Sequence, residues 1–81
     1  MQEEYVTELL SKYDDVVESM KNDGYRAGIT EAASEFNKRA NSMNVNAGKR
    51  EARDALIAFA TRGIIDIEQP TGNTKMVYFR S

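Results

Sequence analysis

The 81-residue sequence contains no cysteine, no histidine and no tryptophan, and it has a single proline. Without cysteine, these residues have no disulfide bonds and no thiolate metal sites. Without histidine, they lack the most common general base and the most common metal ligand. Serine and threonine occur without an evident activating base. We therefore expect no enzyme activity, no metal site and no cofactor.

Long apolar runs are missing as well. No stretch is long enough to cross a bilayer, and Gln2, Glu3 and Glu4 are polar or acidic, which is not typical of a signal peptide. We expect a cytoplasmic protein without membrane association. The length predicts one domain with a single small core.

Charge is present but unevenly distributed along a chain whose formal net charge is −2. Residues 1–23 carry seven acidic side chains and two lysines, whereas residues 24–81 carry nine basic and six acidic side chains. Such asymmetry can mark a nucleic-acid surface, or it can be ordinary variation among solvated faces.

Three segments have the apolar spacing of three and four that is typical of helices. The first spans residues 3–22 and is stopped by Asn22-Asp23-Gly24. The second spans about residues 31–42, with Thr30 as its N-cap. The third spans about residues 47–62, with Asn46 as its N-cap. Its predicted buried face consists of Ala52, Ala55, Leu56, Phe59 and Ala60.

Strand patterns flank the second and third helices. Residues 25–29 form a very short strand or an extended link. After Gly63, apolar and acidic residues alternate, a turn follows at Pro70–Thr74, and residues 76–79 return as a second strand. The C-terminal part therefore reads as a β-hairpin.

The order of these elements resembles the winged-helix branch of the helix-turn-helix family over residues 25–80. The segment from Ala55 to Ile67, ALIAFATRGIIDI, is similar to the end of a recognition helix that enters the wing. The resemblance implies an α+β fold, mainly α, with three helices followed by a C-terminal β-hairpin wing. It implies a winged-helix body over residues 25–81 within a single domain over 1–81. Residues 1–23 form an N-terminal helix, which we consider as a dimerisation element.

The third helix then becomes the candidate recognition helix, because such a helix lies in the major groove with its N-terminal residues at the base edges. Lys49 and Arg53 share a face, Arg50 lies roughly 100° round from Lys49, and Asn46 could reach a phosphate or an adenine. The alternative is a solvated tip, in which Glu51 and Asp54 neutralise the cations and Arg50 pairs with Asp54.

Further contacts follow from the same resemblance. It assigns Asn73, Thr74 and Lys75, within the wing loop 70–75, to the backbone or the minor groove; the alternative is an ordinary polar turn. Backbone contacts are also assigned to Arg26, Lys38 and Arg39, although Lys38 and Arg39 also suit the C-terminal dipole of the second helix. In the first helix, the excess apolar residues Val6, Leu10 and Val17 are the predicted dimer interface.

Two functions from different classes fit this sequence. The first is a small DNA-binding protein, a transcriptional regulator, that binds double-stranded DNA as a homodimer. The second is a winged-helix protein–protein interaction module, an adaptor or inhibitor, with a protein partner on the acidic N-terminal helix. An RNA-binding function would depend on Tyr25 and Tyr78, the remaining candidates for stacking on bases.

Overall fold

The N-terminal helical segment is interrupted at one residue in the computed structural model, which describes residues 2–80. Helix α1 spans Glu3–Lys12 and helix α2 spans Asp14–Asn22. Tyr13 between them has φ −110° and ψ 16°. Backbone hydrogen bonds continue across the break, from Tyr13 N to Leu9 O at 3.1 Å and from Val17 N to Tyr13 O at 3.0 Å. The single helix predicted for residues 3–22 is therefore wrong at Tyr13.

Two further helices follow, and both begin at glycine caps. Helix α3 spans Ile29–Ser42 after Gly28, and helix α4 spans Lys49–Thr61 after Gly48. Neither cap residue makes a side-chain hydrogen bond to its helix. The predictions of Thr30 and Asn46 as N-caps are wrong, because α3 starts before Thr30 and α4 starts after Asn46. The link between the helices contains Asn44 in the left-handed region, with φ 59°.

Three antiparallel strands form one small sheet. Strand β1 spans Arg26–Gly28, β2 spans Asp66–Thr71 and β3 spans Thr74–Tyr78, in the spatial order β1-β3-β2. The hairpin turn is tighter than predicted and has Gly72 at φ 50°. Pro70 lies in β2 at a register irregularity on an edge strand, where its missing N–H costs no ladder hydrogen bond.

The core lies between the helices and one face of the sheet. Its largest fully buried side chains include Tyr13, Phe36, Phe59 and Phe79. On α4 the predicted buried face is confirmed except at Ala60, which is only partly buried. Ala58, which is not part of the predicted face, is buried. The fold is thus α+β and mainly helical, with four helices among the described residues rather than three.

The predicted dimer interface is corrected by this core. Val6 is 7% exposed and Val17 is 2% exposed, so both pack inside the chain's own core. Leu10 is half-buried and packs against the same cluster. The spacing predicts a free apolar stripe on the first helix that the structure does not have. The stripe is covered because α1 contacts α4 and α2 contacts α3. Over residues 2–80, no helix is long and apolar enough to cross a membrane.

Candidate nucleic-acid interface

Three basic side chains of α4 are exposed and form no ion pair with a described residue. Lys49, Arg50 and Arg53 lie on the part of α4 that turns away from the core. Among residues 2–80, none of the three has a carboxylate within 4.0 Å, whereas Lys12, Arg39, Arg62 and Arg80 all do. The expected Arg50–Asp54 ion pair is not formed. The outward face of α4 therefore carries cationic side chains that are free to bind an external anion.

The two acidic residues of the same helix face in another direction. Tyr5 donates its hydroxyl hydrogen to Asp54 Oδ2 at 2.9 Å. Tyr13 donates to Glu51 Oε1, and Lys12 Nζ lies 2.7 Å from the same oxygen. Glu51 and Asp54 are thus held on the flank of α4 that faces α1, and Lys12 balances one of the two negative charges.

The titration behaviour of these groups agrees with the contacts. The hydrogen bonds from Lys12 and Tyr13 lower the pKa of Glu51. Burial and the hydrogen bond to Glu51 raise the pKa of Tyr13 to about 12. The hydrogen bond to Asp54 raises the pKa of Tyr5. At neutral pH both phenols are therefore protonated donors, and Glu51 is a carboxylate that Tyr13 and Lys12 can hold.

A groove between α3 and α4 lies on the opposite flank of α4. Its volume is about 310 Å³ and its lining contains no carboxylate. Arg53 Nη2 donates across it to Thr30 Oγ1 at 3.3 Å. The Oδ1 atom of Asn37 is buried and accepts no hydrogen bond among the described residues. The lining residues are Thr30, Ala33, Ser34, Asn37, Lys49 and Arg53. Two cations and two hydroxyls are groups that commonly contact phosphate.

The N-terminus of α4 adds partial positive charge beside this groove. Gly48 supplies no side-chain acceptor, so the N–H groups of the first turn have no side-chain partner from the cap. Asn46 does not cap α4. The backbone oxygen of Asn46 accepts a hydrogen bond from Tyr13 Oη at 3.3 Å, and Asn46 is exposed.

The predicted wing residues lie at the end of the hairpin. Asn73, Thr74 and Lys75 are all exposed. The backbone oxygen of Lys75 is 3.8 Å from the place where a Cβ on Gly28 would stand. Because Gly28 is the N-cap of α3, Lys75 lies beside the start of the helix that supplies Thr30 to the groove. The hairpin and the groove therefore lie at the same end of α3.

The predicted backbone contacts divide into two kinds. Arg39 forms salt bridges to Asp23 at 2.7 Å and to Glu35 at 2.6 Å, and it donates to Ser19 at 3.0 Å. Its guanidinium also lies 5.8 Å from the ring centroid of Tyr25. Arg39 thus ties α2 to α3, and its guanidinium is engaged by residues of the chain itself.

Lys38 and Arg26 remain exposed. Lys38 has no ion pair with any residue from 2 to 80. The guanidinium of Arg26 lies 5.9 Å from the ring centroid of Tyr78, on the solvent face of the sheet. Because Arg26 is exposed, it can still reach an external group.

Sequence reasoning missed the groove residues Ser34 and Asn37 and the phenols that hold the two acids. Ser34 and Asn37 follow Thr30 at steps of four and three, which places the three on one face of α3. That polar stripe was the available signal. Tyr5 and Tyr13 fall on the apolar stripe of the first helix, and the spacing does not indicate that their hydroxyls reach α4.

No group of three His, Cys, Asp or Glu side chains suited to a metal ion occurs in the described part of the chain. Comparisons with protein-family models, with curated proteins and with solved structures find no match to this chain. The function must therefore be argued from the geometry of the chain itself.

Proposed function

We propose that this chain is a winged-helix protein that binds double-stranded DNA and acts as a transcriptional regulator. In this proposal α4 enters the major groove, and the hairpin loop at residues 70–75 contacts the backbone or the minor groove. The observation that carries the proposal is the separation of charge on α4. Its cations point outward without a carboxylate partner among the described residues, while its carboxylates are held against α1.

The order of elements supports the winged-helix assignment. Backbone hydrogen bonds run across the break at Tyr13, so α1 and α2 can be counted as one bent first helix. The chain then continues through β1, α3, α4 and the hairpin, and β3 lies between β1 and β2. This is the sequence of elements that the resemblance implies, with one extra interruption.

Each part of the interface has a proposed role. Arg50, at the centre of the outward face, is placed to pair with a guanine edge in the major groove. Lys49 and Arg53 border the groove between α3 and α4 and, with Thr30 and Ser34, would hold a backbone phosphate. Further phosphate or sugar contacts come from Arg26 and Lys38 and from the wing residues Asn73, Thr74 and Lys75.

The homodimer stays a prediction, but the apolar residues of the first helix are no longer its proposed interface. Val6 and Val17 belong to the core, and the large exposed apolar residues of the described chain are Met43, Ile57 and Ile64. None of these three lies on α1 or α2. A single copy with about five phosphate contacts would bind weakly and with strong salt dependence.

A fluorescence anisotropy titration with duplex DNA at two salt concentrations tests the proposal. Affinity should fall steeply between about 50 and 200 mM salt. The double variant Lys49→Ala/Arg53→Ala should bind at least about tenfold more weakly, with the logarithmic salt slope reduced by about 2. Lys21→Ala, which removes an unpaired lysine from α2, is the matched control and should bind normally. Affinity that ignores salt, or an unaltered double variant, would reject the proposal.

The alternative is a protein-binding module, and one observation favours it. Glu4, Glu8, Asp14, Asp15 and Glu18 of α1 and α2 are exposed, and none has an ion pair with a described residue. This surface suits a basic protein partner. Under this alternative, a single stoichiometric protein would be captured by the chain and lost with Glu8→Lys/Asp15→Lys, while duplex DNA would not bind.

A further inference from the structure

One apolar side chain interrupts the cationic face of α4. Ile57 is 43% exposed. Of the large apolar residues that are exposed in the described chain, it is the one that lies within a helix. Met43 and Ile64 are exposed too, but each follows the end of a helix. Ile57 therefore belongs to the candidate interface rather than to a helix terminus.

The position of Ile57 aligns it with the arginines. Ile57 follows Arg50 by seven residues and Arg53 by four, so the three share the outward face of α4. At 100° per residue, Ile57 lies between the directions of Arg50 and Arg53. Its backbone oxygen accepts a hydrogen bond from Thr61 Oγ1 at 2.8 Å, which is a bond within the helix and leaves the side chain free.

An apolar group in this setting has a specific chemical complement in DNA. The major groove presents donors and acceptors at every base pair, and the C5 methyl of thymine is its apolar group. Arginine reads guanine in the same groove. A helix face that presents the Arg50 guanidinium and one branched aliphatic side chain thus matches a guanine edge followed by a thymine methyl.

We propose that Ile57 determines part of the sequence specificity by packing against the C5 methyl group of a thymine. This inference rests on the DNA-binding function proposed above. Seven residues of helix rise by about 10 Å, and successive base pairs are about 3.4 Å apart. The thymine should therefore lie about three base pairs from the guanine contacted by Arg50.

Selection of binding sites from a randomised duplex library gives the first test. The native chain should enrich a motif with thymine at one position near a guanine, and Ile57→Ala should lose the preference at that position alone. Alanine is a better helix former than isoleucine, so this variant should fold. Ile64→Ala, which removes an equally exposed isoleucine outside α4, is the control and should keep the whole motif.

Removal of the methyl group gives the second test. Replacement of the selected thymine by deoxyuridine should weaken binding by the native chain about fourfold, the effect of one buried methyl-sized group. Binding by Ile57→Ala should not change on this replacement. Deoxyuridine at a thymine elsewhere in the duplex should have no effect on either protein.

The outcomes separate this inference from the function beneath it. Salt-dependent DNA binding with no sequence preference, or equal loss on deoxyuridine in both proteins, would overturn the role of Ile57 and leave DNA binding intact. Absence of any DNA binding would overturn both. If Ile57→Ala instead converts a dimer to a monomer in light scattering, the side chain contacts a second copy and the inference is wrong.

Discussion

The two flanks of α4 differ in charge although they belong to the same 13-residue helix. On the flank toward α1, both carboxylates accept hydrogen bonds from tyrosines, and one also binds Lys12. On the flank toward α3 and solvent, the three cations have no carboxylate partner among the described residues. The difference teaches that net charge is a poor guide here. A chain with formal net charge −2 can still present a cationic helix face if the carboxylates of that helix bind other side chains of the same chain.

Charge reversal on the flank of α4 toward α3 and solvent, the outer flank, should have the largest effect on DNA binding. We expect Arg50→Glu/Arg53→Glu to weaken DNA binding by about 100-fold or more, because two candidate base or phosphate contacts become repulsive. The melting temperature should change little, since neither arginine has an ion pair with a residue that the structure describes. Anisotropy titration and thermal denaturation measure the two properties.

Neutralisation of the flank of α4 toward α1, the inner flank, is the matched experiment for that variant. Glu51→Gln/Asp54→Asn also changes two charged side chains of α4, and we expect it to keep DNA affinity while lowering stability. Equal losses of affinity in the two variants would show that the flanks do not differ in function.

Removal of one hydroxyl on the inner flank should have an intermediate effect. Tyr13 is fully buried, and its hydroxyl contacts Glu51 and the backbone oxygen of Asn46. Tyr13→Phe should lower the free energy of unfolding by about 1–3 kcal/mol, because the charged and half-buried Glu51 loses its phenolic donor. Tyr78→Phe, on the solvent face of the sheet, should be nearly neutral. Urea denaturation provides the measurement, and a neutral Tyr13→Phe would remove the inner flank as a source of stability.

The smallest expected effect is a pH dependence at the acidic end. The pKa of Glu51 in the folded chain lies below its ordinary value of 4.5. Its carboxylate therefore contributes stability above that ordinary pKa, and this contribution is lost as the pH falls through the folded-state value. The stability difference between the native chain and Glu51→Gln should shrink from pH 6 to pH 3 in urea titrations. Glu8→Gln, which removes an exposed unpaired glutamate, should show no such trend.

Much of the fold could be predicted because periodicity and turn residues indicate it directly. The bounds of α3 and α4 differ from the predictions by only one or two residues, and the hairpin lies where alternation placed it. The break at Tyr13 could not be seen, because the apolar spacing runs through it without a change of phase. The glycine caps were missed because Thr30 and Asn46, better cap residues by chemistry, stood two residues away.

The candidate site was predictable in its cations and not in its partners. Lys49, Arg50 and Arg53 are exposed as the pattern of α4 indicated. Which acids oppose them depends on contacts such as Tyr5 to Asp54, which join residues 49 positions apart. Arg39 illustrates the same limit, since its ion pair with Asp23 depends on how α2 packs on α3. Pairing between helices decides which charges remain free.

The central place of β3 has a consequence for how the chain is made. Of the described elements, β3 is the last to leave the ribosome, yet both other strands pair with it. Val77 and Phe79, which are 0% and 2% exposed, complete the core only then. The helices can form as they are synthesised, but a nascent chain that stops before residue 74 has two unpaired strands and an open core. Chains that stop there should be cleaved by proteases more readily than chains that include β3.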